Sequence, residues 1–409
     1  MKTLSLRAFI LSHVLLLIVS GTAFASSPFF DGLGSRGRLF HQELVDKGLN
    51  PHFTYTGEVL ANISGGESRG AIYEGLVDLG LEVDLEKLTG QPSGVFFFNI
   101  YDTHGNSPTQ RRVGDALGVS NIDAVDSLRL FELWYEPPLP IEGLSLRLGQ
   151  LAADSEFFVS DAASLFIHGT FGWAPAAVQS GAPAYPQASV GARLRYEMQE
   201  DLYIMAGVFS TDLGDPMHDA SARHGTRWEL PESGEAIFII EGSFPFKPCG
   251  LDGIYKAGVW YDTTDTSDNR DGDLHSQNRG FYVIADQTLW TEGIDADQGL
   301  RAFVRFAQSV SDRNTFKQYF DAGFTYTGLF PGWDKDTLGI AVAHADLSNS
   351  FQSANGGTNE SVLELTYEKI VTPAWSLQPV LQYLRNPGGP EGRSLSDAVV
   401  VGLRSQLAF

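Results

Sequence analysis

The chain has 409 residues, a net charge of −22, nine histidines and a single cysteine, Cys249. Such acidity excludes a nucleic-acid partner, which needs cationic surface against phosphates. A lone cysteine excludes an intramolecular disulfide framework.

Residues 1–25 carry Lys2 and Arg7, an apolar run from Phe9 to Val19 and a small-x-small site at Ala23-Phe24-Ala25. This pattern predicts a secretory signal peptide cleaved after Ala25. The run is shorter than the ~20 residues of a spanning helix, and no later segment repeats it. Removing Lys2 and Arg7, with no acid among residues 1–25, takes the net charge from −22 to −24. Residues 26–50 form the next segment. In "RGRLFHQELVDKGLN", Leu39, Phe40, Leu44 and Leu49 fall at roughly helical spacing and Gly48 is a stop, so a short periplasmic helix is expected here.

From residue 51 to 409 the period is two. In "YEGLVDLGLEVD", Tyr73, Gly75, Val77, Leu79, Leu81 and Val83 share one face and Glu74, Leu76, Asp78, Gly80, Glu82 and Asp84 the other. "LRAFVRFA" sets Leu300, Ala302, Val304 and Phe306 against Arg301, Phe303, Arg305 and Ala307. About sixteen such strands follow, at 51–62, 73–84, 94–102, 126–136, 143–152, 188–196, 201–210, 234–244, 253–262, 279–289, 298–308, 315–327, 336–345, 360–369, 374–385 and 397–409. Each is near the ~9–11 residues that cross a bilayer at a tilt. Alternation alone fits a soluble β-sandwich equally well, since one face packs on a core there too. The connections separate the two. Even-to-odd turns are mostly short ("PPLPIEG", "MQED", "IVTP"). Odd-to-even loops are mostly long and polar (103–125, 153–187, 211–233, 263–278, 346–359 and 386–396), with 63–72 and 309–314 as short exceptions. That is the layout of an all-β, transmembrane antiparallel barrel of about sixteen strands. The chain ends on Phe409 directly after an alternating strand. This terminal aromatic is common in outer-membrane barrels and is expected to be read by the barrel-assembly machinery. Tyr73, Tyr101, Trp134, Tyr135, Trp260, Tyr261, Trp290, Trp375 and Tyr383, near strand ends, suit interfacial girdles against outer-membrane lipid.

One stretch resists this rhythm. "SDAASLFIHGTFGW" (160–173) is apolar and aromatic inside the longest loop. Together with "YEGLVDLGLEVDLEKL", "DALGVSNIDAVDSLRLFELWYE", "LRLGQLAADSEFF" and "LQPVLQYLRNPGG" it resembles the carbohydrate-selective porins of Gram-negative outer membranes, the OprB-type family. The resemblance covers most of the chain after the signal. It departs at the start, where a Trp-Gly-Gly type stretch is expected and "DGLGSRGRLFHQELVDKG" has no tryptophan. The resemblance implies a sixteen-stranded barrel passing small sugars, monosaccharides such as glucose, by diffusion. By likeness to general porins, it also implies that loop 153–187 folds into the lumen as a constriction.

Alternation puts Arg147, Arg193, Arg195, Arg301, Arg305 and Arg404 on the lumen wall, opposed by Glu74, Asp78, Glu132 and Glu364. Guanidiniums donate and carboxylates accept, which is the chemistry sugar hydroxyls require. The family carries an arginine-lined constriction, although these residues also suit a merely solvated, self-paired wall. Phe166, Phe171 and Trp173 either stack on sugar or pack the loop on the wall. The acidic loop "DTTDTSDNRDGD" places Arg270 at the third position from Asp268 and lacks the calcium-loop spacing, so it reads as solvated. No H-E-x-x-H or G-x-S-x-G motif is present. His168 beside Ser160 and Asp161 lacks oxyanion support for a triad. No catalytic residue, cofactor or metal is expected. The alternatives to a sugar porin are a general or ion-conducting porin and a barrel-borne hydrolase. The sequence leaves monomer or trimer open.

Overall fold

The computed structural model describes residues 39–230, 235–268, 272–293, 295–349, 352, 357–388 and 395–409. The expected signal peptide, and residues 26–38 of the segment after it, lie outside these. Residues 39–46 are helical, and the Gly48 N–H closes on Val45 O at 3.0 Å with φ +88°, a conformation that favours glycine at a helix end.

The strands are β1 (Leu49–Ser64), β2 (Gly70–Asp84), β3 (Val95–Gly105), β4 (Ser127–Glu136), β5 (Leu144–Leu151), β6 (Ser189–Gln199), β7 (Leu202–Ser210) and β8 (Ala236–Phe246). They continue as β9 (Gly253–Asp262), β10 (Asn278–Glu292), β11 (Asp295–Ser309), β12 (Phe316–Thr327), β13 (Thr337–Leu347), β14 (Asn359–Thr372), β15 (Trp375–Arg385) and β16 (Ala398–Ala408). Each falls on one of the sixteen segments read from the two-residue period. Neighbours pair antiparallel and β16 returns to β1, closing the barrel. The seam ends on the terminal residue: Phe53 N donates to Phe409 O at 3.1 Å and Phe409 N to Phe53 O at 2.9 Å. Closure leaves no free edge to template aggregation. Alternation is realised throughout. Leu194, Val304 and Leu403 are exposed on the outer wall, while Arg193, Phe303, Arg305 and Val400 are buried inside. No helix among the described residues is long and apolar enough to cross a membrane; the strands do the crossing.

The apolar core sits inside the barrel. Loop 3 (152–188, between β5 and β6) enters the lumen and lies along the inner wall from β8 to β15. Its Phe157, Phe158, Phe166, Ile167 and Phe171 join wall residues Phe209, Ile237, Ile239, Trp260, Tyr282 and Phe303 in one buried cluster. The wall is cut to receive it. A Cβ at Gly339 of β13 would stand 2.5 Å from Leu165 Cδ2, closer than real contacts allow, and 3.0 Å from Phe166 Cζ, tighter than most. Where loop 3 leaves the wall, β4 and β5 pair only over Leu133–Tyr135. Beyond that, Gln150 Nε2 donates to Leu130 O (3.0 Å) and Phe131 O (2.7 Å). The buried Arg129 donates to Ser127 Oγ, to Pro186 O of loop 3 and to Arg223 O. Arg129 thus pins β4, loop 3 and the short helix Ala220–His224 together.

Because Val304 faces lipid at the middle of β11, Val304→Lys should lower the free energy of refolding into lipid vesicles by about 2–4 kcal/mol. Denaturant titration of folded and unfolded gel mobility reads this directly.

Candidate functional site: a divided lumen

A loop buried in a lumen must satisfy its backbone N–H groups there. Here wall carboxylates accept them. Glu132 accepts from Ala152 N (2.9 Å) and Glu241 from Phe158 N (3.2 Å). Glu364 takes Ile167 N (2.7 Å) on one oxygen and His168 N (2.8 Å) on the other. Asp286 accepts from Ser160 Oγ at 2.6 Å. Carbonyls are met from the same wall: Arg305 Nη2 donates to Phe171 O (2.8 Å), Lys256 Nζ to Val159 O (2.9 Å) and Gln378 Nε2 to Leu165 O (2.7 Å). Loop 2 (106–126, between β3 and β4) is held the same way. Ala116 N and Leu117 N both reach Glu360 Oε1 at 3.0 Å. Ser120 Oγ donates to Glu58, and Gln382 Nε2 to Val119 O at 3.0 Å.

The two loops leave open space against β1, β2 and β16 and against β11 to β15. Its inner chamber, 580 Å³, is lined by Thr54, Thr56, Leu76 and Asp78, by Thr325, Thr327, Thr337, Glu368 and Gln378, and by Arg301, Arg404 and Gln406. An outer chamber of 750 Å³ is lined by loop 2 together with Asp154, Trp173, Pro186 and Met217. Asn121 and Tyr185 line both, so they mark the boundary between them. This boundary is tied from both sides. Tyr185 Oη donates to Ile122 O (2.8 Å), Asn121 N to Ile167 O (2.8 Å) and Arg404 Nη2 to Asn121 Oδ1 (2.6 Å). The Arg404 Nε also meets Glu58 Oε2 at 2.6 Å. Tyr185 stands among Tyr101 and Phe131, with ring centroids 5.9 and 6.3 Å away. Asp154, half-buried at the wall of the outer chamber, accepts from Tyr185 N at 2.9 Å, and desolvation pushes its carboxyl up to about 7. A side cavity of 460 Å³ shares Asp161, Ala162 and Arg301 with the inner chamber and reaches the turn residues Glu200, Asp201, Lys247 and Asp252.

Residues 68–409 match the family described as "Carbohydrate-selective porin, OprB family". The chain belongs to this family. It is similar to Porin B of Pseudomonas aeruginosa, with 24% identity over 90% of this chain and 89% of that protein. It is also similar to the putative porin QuiX of Acinetobacter baylyi, with 23% identity over 90% and 91%. Among solved structures it resembles Pseudomonas putida OprB at high pH, with a TM-score of 0.79, 25% identity and coverage of 90% of this chain and 96% of that one. Family and barrel point to a channel rather than an enzyme, and the outer-membrane setting follows from the porin family.

Within this OprB-family porin, the residues expected on the lumen wall divide. Arg301, Arg404 and Asp78 line the inner chamber, and Trp173 the outer. Arg301 is exposed and makes no ion pair among the described residues. Asp78 meets His52 Nε2 at 3.3 Å and Asn99 Nδ2 at 3.4 Å. The others are removed from the passage by their partners. Arg147 Nε pairs with Glu136 (2.9 Å), its Nη1 with Glu156 (2.6 Å), and its guanidinium lies 4.0 Å over Trp134. Arg193 Nε meets Glu156 at 2.9 Å. Arg195 meets Glu197 at 2.8 Å and lies 3.9 Å over Tyr203. Arg305 is buried on Asp321. Glu74 is buried beneath loop 2, its cross-strand partner being Glu58, while Glu132 and Glu364 serve as loop anchors. Phe166 and Phe171 face the wall rather than solute: their centroids are 4.9 Å apart, and Phe303 lies 5.7 and 6.3 Å from them.

Loop 2 was expected as a polar outside loop; it is half of the boundary, and Asn121, Tyr185 and Gln378 went unread. Their signal was faint: nothing local to "ALGVSNIDAV" foretells that its Ala116 N–H is seated on Glu360, 244 residues away. Ser160 and His168 are not brought together as nucleophile and base: Ser160 binds Asp286 and His168 Nδ1 accepts from Thr170 N at 3.4 Å. Asp268, His275 and Asp312 gather ligand atoms within 4.8 Å, but Arg313 donates to both Asp312 oxygens at 2.8 and 3.0 Å and supplies the counter-charge.

Phe171 is almost fully buried, so Phe171→Ala should lower stability by about 3–5 kcal/mol. Its loss from the wall should also raise single-channel conductance. Thermal melting and planar-bilayer recording measure the two effects.

Proposed function

We propose that the barrel passes small neutral sugars, monosaccharides such as glucose, by passive diffusion. Solute would move from the outer chamber, past the Asn121–Tyr185 boundary, into the inner chamber. The observation that carries this reading is the inner lining: five threonine hydroxyls and the amides of Asn121, Gln378 and Gln406, with Arg301 and Arg404 as donors and Asp78 and Glu368 as acceptors. Sugar hydroxyls both donate and accept, so a wall of scattered donors and acceptors meets them in many orientations. No single contact is strong, and a channel needs sites weak enough to release what they recruit. Family membership supports the same solute class.

Export by the Sec-type signal and insertion of the Phe409-terminated barrel into the outer membrane complete the proposal. A general ion-conducting porin would carry similar current without discriminating among sugars.

In single-channel recordings, glucose should reduce the current. Arg301→Ala should raise the half-blocking concentration about tenfold, as expected for losing a hydrogen bond worth about 1.4 kcal/mol. Proteoliposomes that swell in no monosaccharide would remove the transport reading.

A further inference from the structure

Arg129 of β4 lines neither chamber, and it is only 2% exposed. Its donors go to neutral oxygens: Ser127 Oγ at 3.0 Å, Pro186 O, and Arg223 O at 2.9 Å. Among the described residues it makes no ion pair. Asp212 shares a small cavity with it but is taken by Arg227. A buried charge without a counter-charge is costly, and an apolar side chain avoids that cost. What a guanidinium supplies in return is a rigid fork of donors with fixed directions.

The fork spans a gap in the wall. β4 pairs with β5 only over Leu133–Tyr135, and loop 4, which follows β7, covers the rest. His224 Nδ1 donates to Leu128 O at 2.7 Å, and a Cβ at Gly225 would stand 1.8 Å from Leu130 O. On the lumen side the fork holds Pro186, the residue after Tyr185. Tyr185 is tied at its N–H to Asp154 and at its hydroxyl to Ile122 O. Its chain direction is set by the Pro186 carbonyl and by Gln187, whose Nε2 donates to Leu213 O of loop 4 at 3.0 Å. Arg223 carries the connection outward: Nε donates to Pro216 O at 2.7 Å and Nη2 to Met217 O at 3.0 Å. Pro216 and Met217 line the outer chamber together with Tyr185.

We propose that Arg129 is a positioning residue for solute passage. Through the Pro186 carbonyl it holds Tyr185 at the pore boundary, and through Arg223 it ties that boundary to the loop 4 wall of the outer chamber. Arg129 touches no solute; it acts by where it places Tyr185. The inference rests on the passage running past Tyr185, as proposed above, and not on sugar being the solute.

The test measures single-channel conductance in salt alone, glucose block and thermal melting on the reconstituted full-length barrel. The variants are Arg129→Met, Arg129→Lys and Tyr185→Ala, and each Arg129 variant combined with Tyr185→Ala. Methionine keeps length and loses the donors, and lysine keeps the charge as a point rather than a fork. With its carbonyl anchor gone, Tyr185 should leave the boundary. Both Arg129 variants should therefore raise conductance severalfold, as Tyr185→Ala does. Each combined variant should conduct no more than Tyr185→Ala alone, the non-additivity expected when one residue acts through another. An Arg129→Met barrel that melts early but conducts as wild type overturns the inference, since Arg129 would then only weld the wall. An effect that multiplies with that of Tyr185→Ala, or wild-type conductance in Arg129→Lys, overturns it as well. If Arg129→Met does not fold, Arg129→Lys decides by the same comparison. The expected conductance pattern without glucose block in any channel supports positioning by Arg129 and removes the sugar reading alone.

Discussion

Everything in this lumen depends on one requirement: backbone N–H groups carried into the barrel must find acceptors there. An N–H buried without a partner forfeits about 1–3 kcal/mol. A carboxylate is the strongest acceptor a wall can offer, because charge-assisted bonds are roughly twice as strong as neutral ones. Glu364, fully buried, takes two successive N–H groups of loop 3, and Glu360 does the same for loop 2. The anchors are fixed by strand register, so the loops inherit the rigidity of the sheet. A boundary built on two loops can then be as precise as one built on strands.

The same requirement explains how the interior is apportioned. Inward positions from β7 to β13 carry Phe209, Ile237, Ile239, Trp260, Tyr282, Phe303 and Ala341 and form a core with loop 3. Inward positions on β1, β2 and β16 carry Thr54, Thr56, Asp78, Arg404 and Gln406 and remain open. Burying an aromatic side chain such as Phe166 or Phe171 contributes about 1.5–3 kcal/mol, which holds the plug to its wall. The interior is thus divided between a folded core and an open chamber, to which β11 to β15 also contribute Arg301, Thr325, Thr327, Thr337, Glu368 and Gln378. Several arginines that alternation directs inward act for the first. Arg305 and Arg193 sit on Asp321 and Glu156, and only Arg301 and Arg404 belong to the second.

The barrel was legible because its signal is local and repeated. Alternation at "LRAFVRFA" and "YEGLVDLGLEVD" states which face meets lipid without reference to any other part of the chain. The interior was legible only by face. Glu132 and Glu364 were read as inward, and they are. That they serve backbone rather than solute depends on partners 20 and 197 residues away, which no spacing rule encodes. "SDAASLFIHGTFGW" was visible as an anomaly for the same reason. Its apolar residues obey no strand or helix period because they fit a wall of other strands. Loop 2 was missed because "ALGVSNIDAV" is short of aromatics and shows no strand or helix period, although its Leu117 and Val119 join the buried apolar cluster.

Wall carboxylates hold the loop backbone inside the barrel. Amide hydrogen exchange over residues 160–172 tests it most directly, comparing wild type with Glu364→Ala. In wild type, the amides of Ile167 and His168 should exchange as slowly as those of the neighbouring strands, and in Glu364→Ala they should exchange by at least tenfold faster, equivalent to losing about 1.4 kcal/mol of protection. Fast exchange at these amides in wild type, or protection unchanged by the substitution, would contradict anchoring by Glu364.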